Sequence, residues 1–223
     1  MTCDYRAAKS GFALDVQQKL AEKFDGKEAA KTLRWIRLLT PPDVKPPGPM
    51  SEAVEKIPKD IDDVTMDEYF EYLYNGLTLG YLMACLDPNF ASRVNSSRTW
   101  QVAEKTIFET PRQRERIGVF LQFAADLGVN SASRFQTDQL YEKTNLPQVV
   151  VCLSQLGIEA QAKPGFRGPS DFWVHKHKEN KRAFTEEQLR SGETVIGLQA
   201  GYTGGATASG VNFGGRRHIT DTF

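Results

Sequence analysis

Phe12, Val16, Leu20 and Phe24 recur every four residues, the repeat of one face of an α-helix. Asp25-Gly26 interrupts the run, and Leu33, Trp35, Ile36, Leu38 and Leu39 then form a second apolar stripe. That stripe must stop at Thr40, because Pro41-Pro42 cannot continue a helix. From Pro41 to about Val64 six prolines fall among charged residues, which predicts a surface loop of partly polyproline character over 41–64. Thr65-Met66-Asp67-Glu68 is a capping box that opens a helix carrying Met66, Phe70 and Leu73. Asn75-Gly76 breaks it, and Leu77, Leu79, Leu82, Met83 and Leu86 follow as another apolar face.

Thr110-Pro111-Arg112-Gln113 reads as a further start, with proline at the first helical position. Ile117, Phe120, Leu121, Ala124 and Leu127 continue it, and Gly128 supplies a C-cap. This stretch, 117–127, is expected to be the central, most apolar element. Asn145-Leu146-Pro147-Gln148 repeats the start signal, with Val149, Val150, Leu153 and Leu156 as the buried stripe and Gly157 closing it. No β-type alternation occurs in this region. Residues 10–160 therefore predict a compact all-α domain with Trp35 in its core.

The character changes after Gly157. Lys163 to Pro169 reads as a linker, Ser170 as the cap of a short basic helix running from Asp171 towards Lys181, and Thr185-Glu186-Glu187-Gln188 as a capping box for a brief turn. From Gly192 on, eight glycines crowd among small polar residues, too few apolar side chains for a core. The chain thus divides into a helical domain (10–160), a basic connector (161–191) and an extended, largely irregular tail (192–223).

Composition narrows the function. The 28 basic and 28 acidic residues cancel, but from Lys163 onward nine basic side chains face six acidic ones, leaving the remainder net acidic. That is far from the strongly basic profile of a nucleic-acid binder. No run of about 18 apolar residues is present to span a bilayer, and the N-terminus lacks a signal-type apolar segment. Three scattered cysteines (Cys3, Cys85, Cys152) suit a reducing compartment and give no zinc spacing. All three histidines lie in the C-terminal part, and no nucleophile motif or phosphate loop is found. An enzyme is not expected, nor any cofactor or metal.

Val195-Ile196-Gly197-Leu198-Gln199-Ala200-Gly201, continuing to Gly214-Gly215-Arg216-Arg217-His218-Ile219, closely resembles the calponin-like repeat. Phe166-Arg167-Gly168-Pro169 and Lys181-Arg182-Ala183-Phe184-Thr185-Glu186-Glu187-Gln188-Leu189 are similar to the connector of transgelins. Trp35, Tyr74-Asn75-Gly76-Leu77 and Phe120-Leu121-Gln122-Phe123-Ala124 resemble a calponin-homology domain. The repeat departs from the family pattern at Gly204, where lysine is usual, and at Thr207, where serine is usual.

The resemblance implies a non-catalytic actin-associated protein of the cytoplasm and cytoskeleton, of the kind found in muscle. It places the filament contact outside the helical domain. The expected contact residues are Ile196, Gly197, Leu198, Gln199, Arg216, Arg217 and His218 of the repeat, with Lys176, Lys178, Lys181 and Arg182 of the connector beside His175. Filament surfaces are acidic, so basic segments gain affinity and on-rate there, and the two arginines can fork onto carboxylates. Thr207 is a candidate phosphorylation site whose added charge would oppose such binding. Filamentous actin is the expected partner. The rival is a signalling adaptor, whose helical domain grips kinases or other cytoskeletal proteins with little actin binding.

Overall fold

The computed structural model describes residues 10–41, 43, 45–94, 97–176 and 184–194. Among them every regular element is helical and none is a strand. Helix α1 spans Phe12–Glu22, α2 Gly26–Leu38, α3 Gly48–Glu55, α4 Met66–Leu73, α5 Leu77–Leu86 and α6 Pro88–Val94. After a 3₁₀ turn at Arg98–Trp100 come α7 (Thr106–Leu127), α8 (Thr137–Tyr141), α9 (Leu146–Gln161) and α10 (Glu186–Thr194). Residues up to Lys176 form one compact unit, and α10 belongs to a second that begins at His177.

Side-chain caps start several of these helices where the sequence marks them. Asp25 accepts from the backbone N–H groups of Lys27 and Glu28 at the head of α2. At α4, Thr65 Oγ1 accepts from Glu68 N (3.3 Å) while Glu68 Oε2 accepts from Thr65 N (2.9 Å), the reciprocal box in full. Asn145 Oδ1 accepts from Gln148 N (3.3 Å) at α9. The box at Thr185 and Gln188 is also present, and it opens a nine-residue helix rather than a brief turn.

The proline-rich stretch is not a loop throughout. α3 lies inside it, with Pro49 in its first turn, where the missing N–H has no helical acceptor in any case. Met50, Ala53, Val54, Ile57 and Ile61 are buried, a spacing of three and four. The prolines bracket a helix here instead of forbidding one. α3 rests on α5, and α5 in turn on α6 and α7.

α5 is also the most enclosed element, with every residue from Leu77 to Cys85 buried. It carries no charge, so any exposed face would leave apolar surface in water. The expected centre, α7, buries only one stripe: Arg116, Ile117, Phe120 and Ala124. α7 also begins at Thr106, so Pro111 lies inside it and not at its first position. Pro111 removes only the bond to the Ile107 carbonyl, at a helix end where Ile107 and Phe108 are themselves exposed. α9 packs against α2, α7 and α8 and contributes Val149, Cys152, Leu153 and Leu156 to the core. Burial pushes the Cys152 thiol up to about 11 and the Cys85 thiol up to about 12, so both stay protonated and unreactive at neutral pH.

One buried charge organises the centre. The Arg116 guanidinium, fully enclosed, donates to the carbonyls of Thr99 (2.6 Å), Asn75 (3.0 Å) and Gln101 (3.0 Å) and to Glu109 Oε1 (2.7 Å). Glu109 Oε2 accepts from Ala103 N at 2.7 Å. Arg116 thereby ties the α4–α5 turn and the segment before α7 to α7 itself. Gly76 at that turn has φ 73°, and a Cβ there would come within 2.6 Å of Arg116 Cβ, so the backbone and the close approach both require glycine.

Candidate functional site

The connector after α9 is seated on the helical domain as far as Lys176. Trp173 is its anchor, 5% exposed, and its ring meets Trp35 of α2 edge to face, with centroids 5.6 Å apart. Phe172 packs on Trp173 at 5.2 Å, and Lys31 Nζ stands 5.0 Å from the Trp173 ring centroid as a cation–π partner. Gly157 provides the seat: any Cβ there would overlap the indole. Gly157 therefore does not close α9, which continues to Gln161. One turn further, the Gln161 side chain donates to Trp173 O (3.0 Å) and accepts from Trp173 N (3.1 Å), which satisfies both backbone groups of the anchor.

Smaller contacts flank this clamp. Thr40 N donates to Arg167 O at 3.1 Å, and Arg167 pairs with Asp43 at 2.8 Å. His175 Nε2 lies 3.0 Å from Asp171 Oδ1, a hydrogen bond that is the main reason the Asp171 carboxyl lies below its usual range. The expected basic helix from Asp171 does not form over residues 171–176, because Trp173 is committed to α2 and α9 and its own backbone bonds go to Gln161.

Of the sequence-predicted contact residues, Lys176 is described. Its Nζ donates to both carboxylate oxygens of Glu159 on α9, at 2.8 and 3.0 Å, so this cation is already partnered within the domain. Lys178, Lys181, Arg182, Ile196, Gly197, Leu198, Gln199, Arg216, Arg217, His218 and the candidate site Thr207 lie outside the described residues. Gly157 as a seat for the indole and Gln161 as its backbone partner are not marked by the sequence motifs. Glycine at a register position that faces the apolar stripe of α9 was the available signal for a seat.

A second feature is a groove of about 580 Å3 on the side where α5, α6 and α7 meet. Leu86, Phe90, Trp100 and Phe123 line it, together with two carboxylates, Asp87 and Asp126, and one cation, Lys163. Among the described residues no cluster could hold a metal ion, and no helix is long and apolar enough to cross a membrane.

The helices that enclose α5 carry the class: residues 53–162 match the calponin homology (CH) domain. Helix α2 with Trp35 precedes the matched segment yet belongs to the same core. Over 212 residues the chain is 32% identical to myophilin of Echinococcus granulosus, covering 95% of this chain and 96% of that protein. The protein belongs to the calponin/transgelin-like family of calponin homology proteins.

Proposed function

We propose that this protein is a non-enzymatic, actin-associated component of the cytoplasmic cytoskeleton. The helical domain (10–160) is a rigid adaptor, and the connector (161–191) with the calponin-like repeat (192–223) makes the filament contact. Its family membership, extending over 95% of the chain, is the observation that carries this reading. The seated connector supports it: up to Lys176 the segment that leads towards the repeat is fastened to the helical domain. Because Lys176 is neutralised by Glu159, the cations that would meet an acidic filament are those further along, Lys178, Lys181, Arg182, Arg216 and Arg217. Ile196, Gly197, Leu198, Gln199 and His218 complete the proposed contact, and phosphate on Thr207 would weaken it.

A single repeat offers no avidity from tandem copies, so the grip is modest and salt-sensitive. Co-sedimentation with filamentous actin tests this. Arg216→Glu/Arg217→Glu should pellet less than the parent, and the difference should shrink as salt rises. Equal pelleting of the two proteins at low salt would remove the repeat from the contact.

The groove favours a second reading, a signalling adaptor that takes kinases or other cytoskeletal proteins on the domain. An aromatic lining with two carboxylates against the single cation Lys163 suits an apolar anchor flanked by basic residues. Phe123→Asp, in that half-buried lining, would abolish such capture while leaving actin pelleting intact.

A further inference from the structure

The head of α7 carries an unusual combination of groups. Ile107 is 75% exposed, Phe108 60% and Val102 54%, more apolar surface than any other short stretch between α2 and α9 presents. Val102 is held beside the helix start, because Ala103 N donates to Glu109 Oε2 and the Gln101 carbonyl accepts from both Arg112 and Arg116. The three side chains thus crown one helix end, and none of them lines the groove on the α5–α7 side.

The charge around them is net positive. Between residues 98 and 112 stand Arg98, Lys105 and Arg112, with Glu104 and Glu109 as the acids. Glu109 is neutralised by the buried Arg116 at 2.7 Å, which leaves three cations against the single carboxylate of Glu104. Glu115 lies a turn further along the helix. Arg98 and Lys105 are exposed, and Arg112 is half-buried with its NH1 on Gln101 O.

We propose that this helix head is a reversible docking point for an anionic lipid surface. The charge balance selects an anionic partner. The shape selects a soft one: side chains that project from a convex helix end are buried by a medium that conforms to them, whereas a protein partner must supply a matching hollow. Insertion of Ile107, Phe108 and Val102 into the headgroup–acyl boundary, with Lys105, Arg98 and Arg112 among the headgroups, follows the pattern of interfacial anchoring. Cations near an acidic leaflet add to the attraction and make it salt-dependent. A single small anchor of this size gives weak, reversible association.

The test uses the full-length chain and sedimentation with phosphatidylcholine vesicles, with and without phosphatidylserine. The parent should pellet only with the serine-containing vesicles, and less at high salt. Ile107→Ser/Phe108→Ser should lower the partition by about tenfold, and Lys105→Glu by about fivefold. All three side chains are largely solvent-exposed, so both variants should keep the parental thermal midpoint. Arg216→Glu/Arg217→Glu, remote in sequence, should retain most of the vesicle binding. Absence of serine-dependent pelleting overturns the proposal, as does a double variant that pellets like the parent. Loss of actin pelleting by Ile107→Ser/Phe108→Ser, without vesicle binding by the parent, would make the patch a protein contact instead and equally overturn it.

Discussion

The two ends of the folded unit each carry large aromatic residues, and these have opposite fates. At the N-terminal end, α1 places Phe12 and Val16 on its apolar stripe, yet Phe12 stays 82% exposed; the helix touches α9, and just past its end Phe24 meets Tyr69 edge-on at 5.7 Å. At the C-terminal end, a segment with no helix at all buries Trp173 to 5% exposure. Periodicity sets which residues share a face. Burial additionally needs a seat, and α9 offers one where Gly157 opens a gap, Trp35 presents an edge and Gln161 pairs both backbone groups of the incoming residue. Among the described residues nothing equivalent meets Phe12.

Removing the anchor should have the largest consequence. Trp173→Ala is expected to cost about 3 kcal/mol or more in urea unfolding, the usual range for deleting a buried indole. Trp173→Phe should cost much less, since the indole N–H has no hydrogen-bond partner among the described residues and little is lost beyond area. Equal losses in the two variants would mean that ring burial is not what holds the connector. Gly157→Ala comes next, at about 1–3 kcal/mol, because its Cβ competes with the Trp173 ring for one space and the neighbours are rigid. If the anchor is set by that seat, combining Gly157→Ala with Trp173→Ala should be less damaging than the sum of the two, measured as a double-mutant cycle.

Gln161→Ala should cost about 1–3 kcal/mol by leaving the Trp173 N–H and carbonyl without partners. Hydrogen exchange at Trp173 N, faster in this variant, would localise the effect. The smallest change is expected at the other end. Phe12→Ser should move stability by no more than about 0.5 kcal/mol, as befits a side chain already in water. A loss comparable to that of Trp173→Ala would show that α1 is held by its apolar stripe after all.

Much of the fold was legible because its punctuation is local. The caps at Thr65, Asn145 and Thr185 need only a few residues each, and each stands where the sequence marks it. What escaped depends on contacts distant in sequence. α3 was obscured because proline was weighed as a breaker, while the three- and four-residue spacing of Met50, Ala53, Val54 and Ile57 carried the correct signal. The early start of α7 rests on Glu109, which bonds both to Ala103 ahead of it and to Arg116 behind it. The charge-free α5 outranked α7 as the centre for a reason visible in composition but not in periodicity. At the candidate site, Gly157 and Gln161 gain their roles only once the chain has returned to α9. The pairing of Lys176 with Glu159 likewise joins residues 17 apart.

On the proposed function, labour is divided between a fastened domain and a filament-binding tail. Pelleting with filamentous actin at moderate salt should therefore be compared for the full chain and for one ending at residue 191. The full chain is expected to sediment with filaments and the shortened chain to stay largely in the supernatant, with its melting transition unchanged. Undiminished pelleting of the shortened chain, or failure of the full chain to pellet at all, would contradict that division.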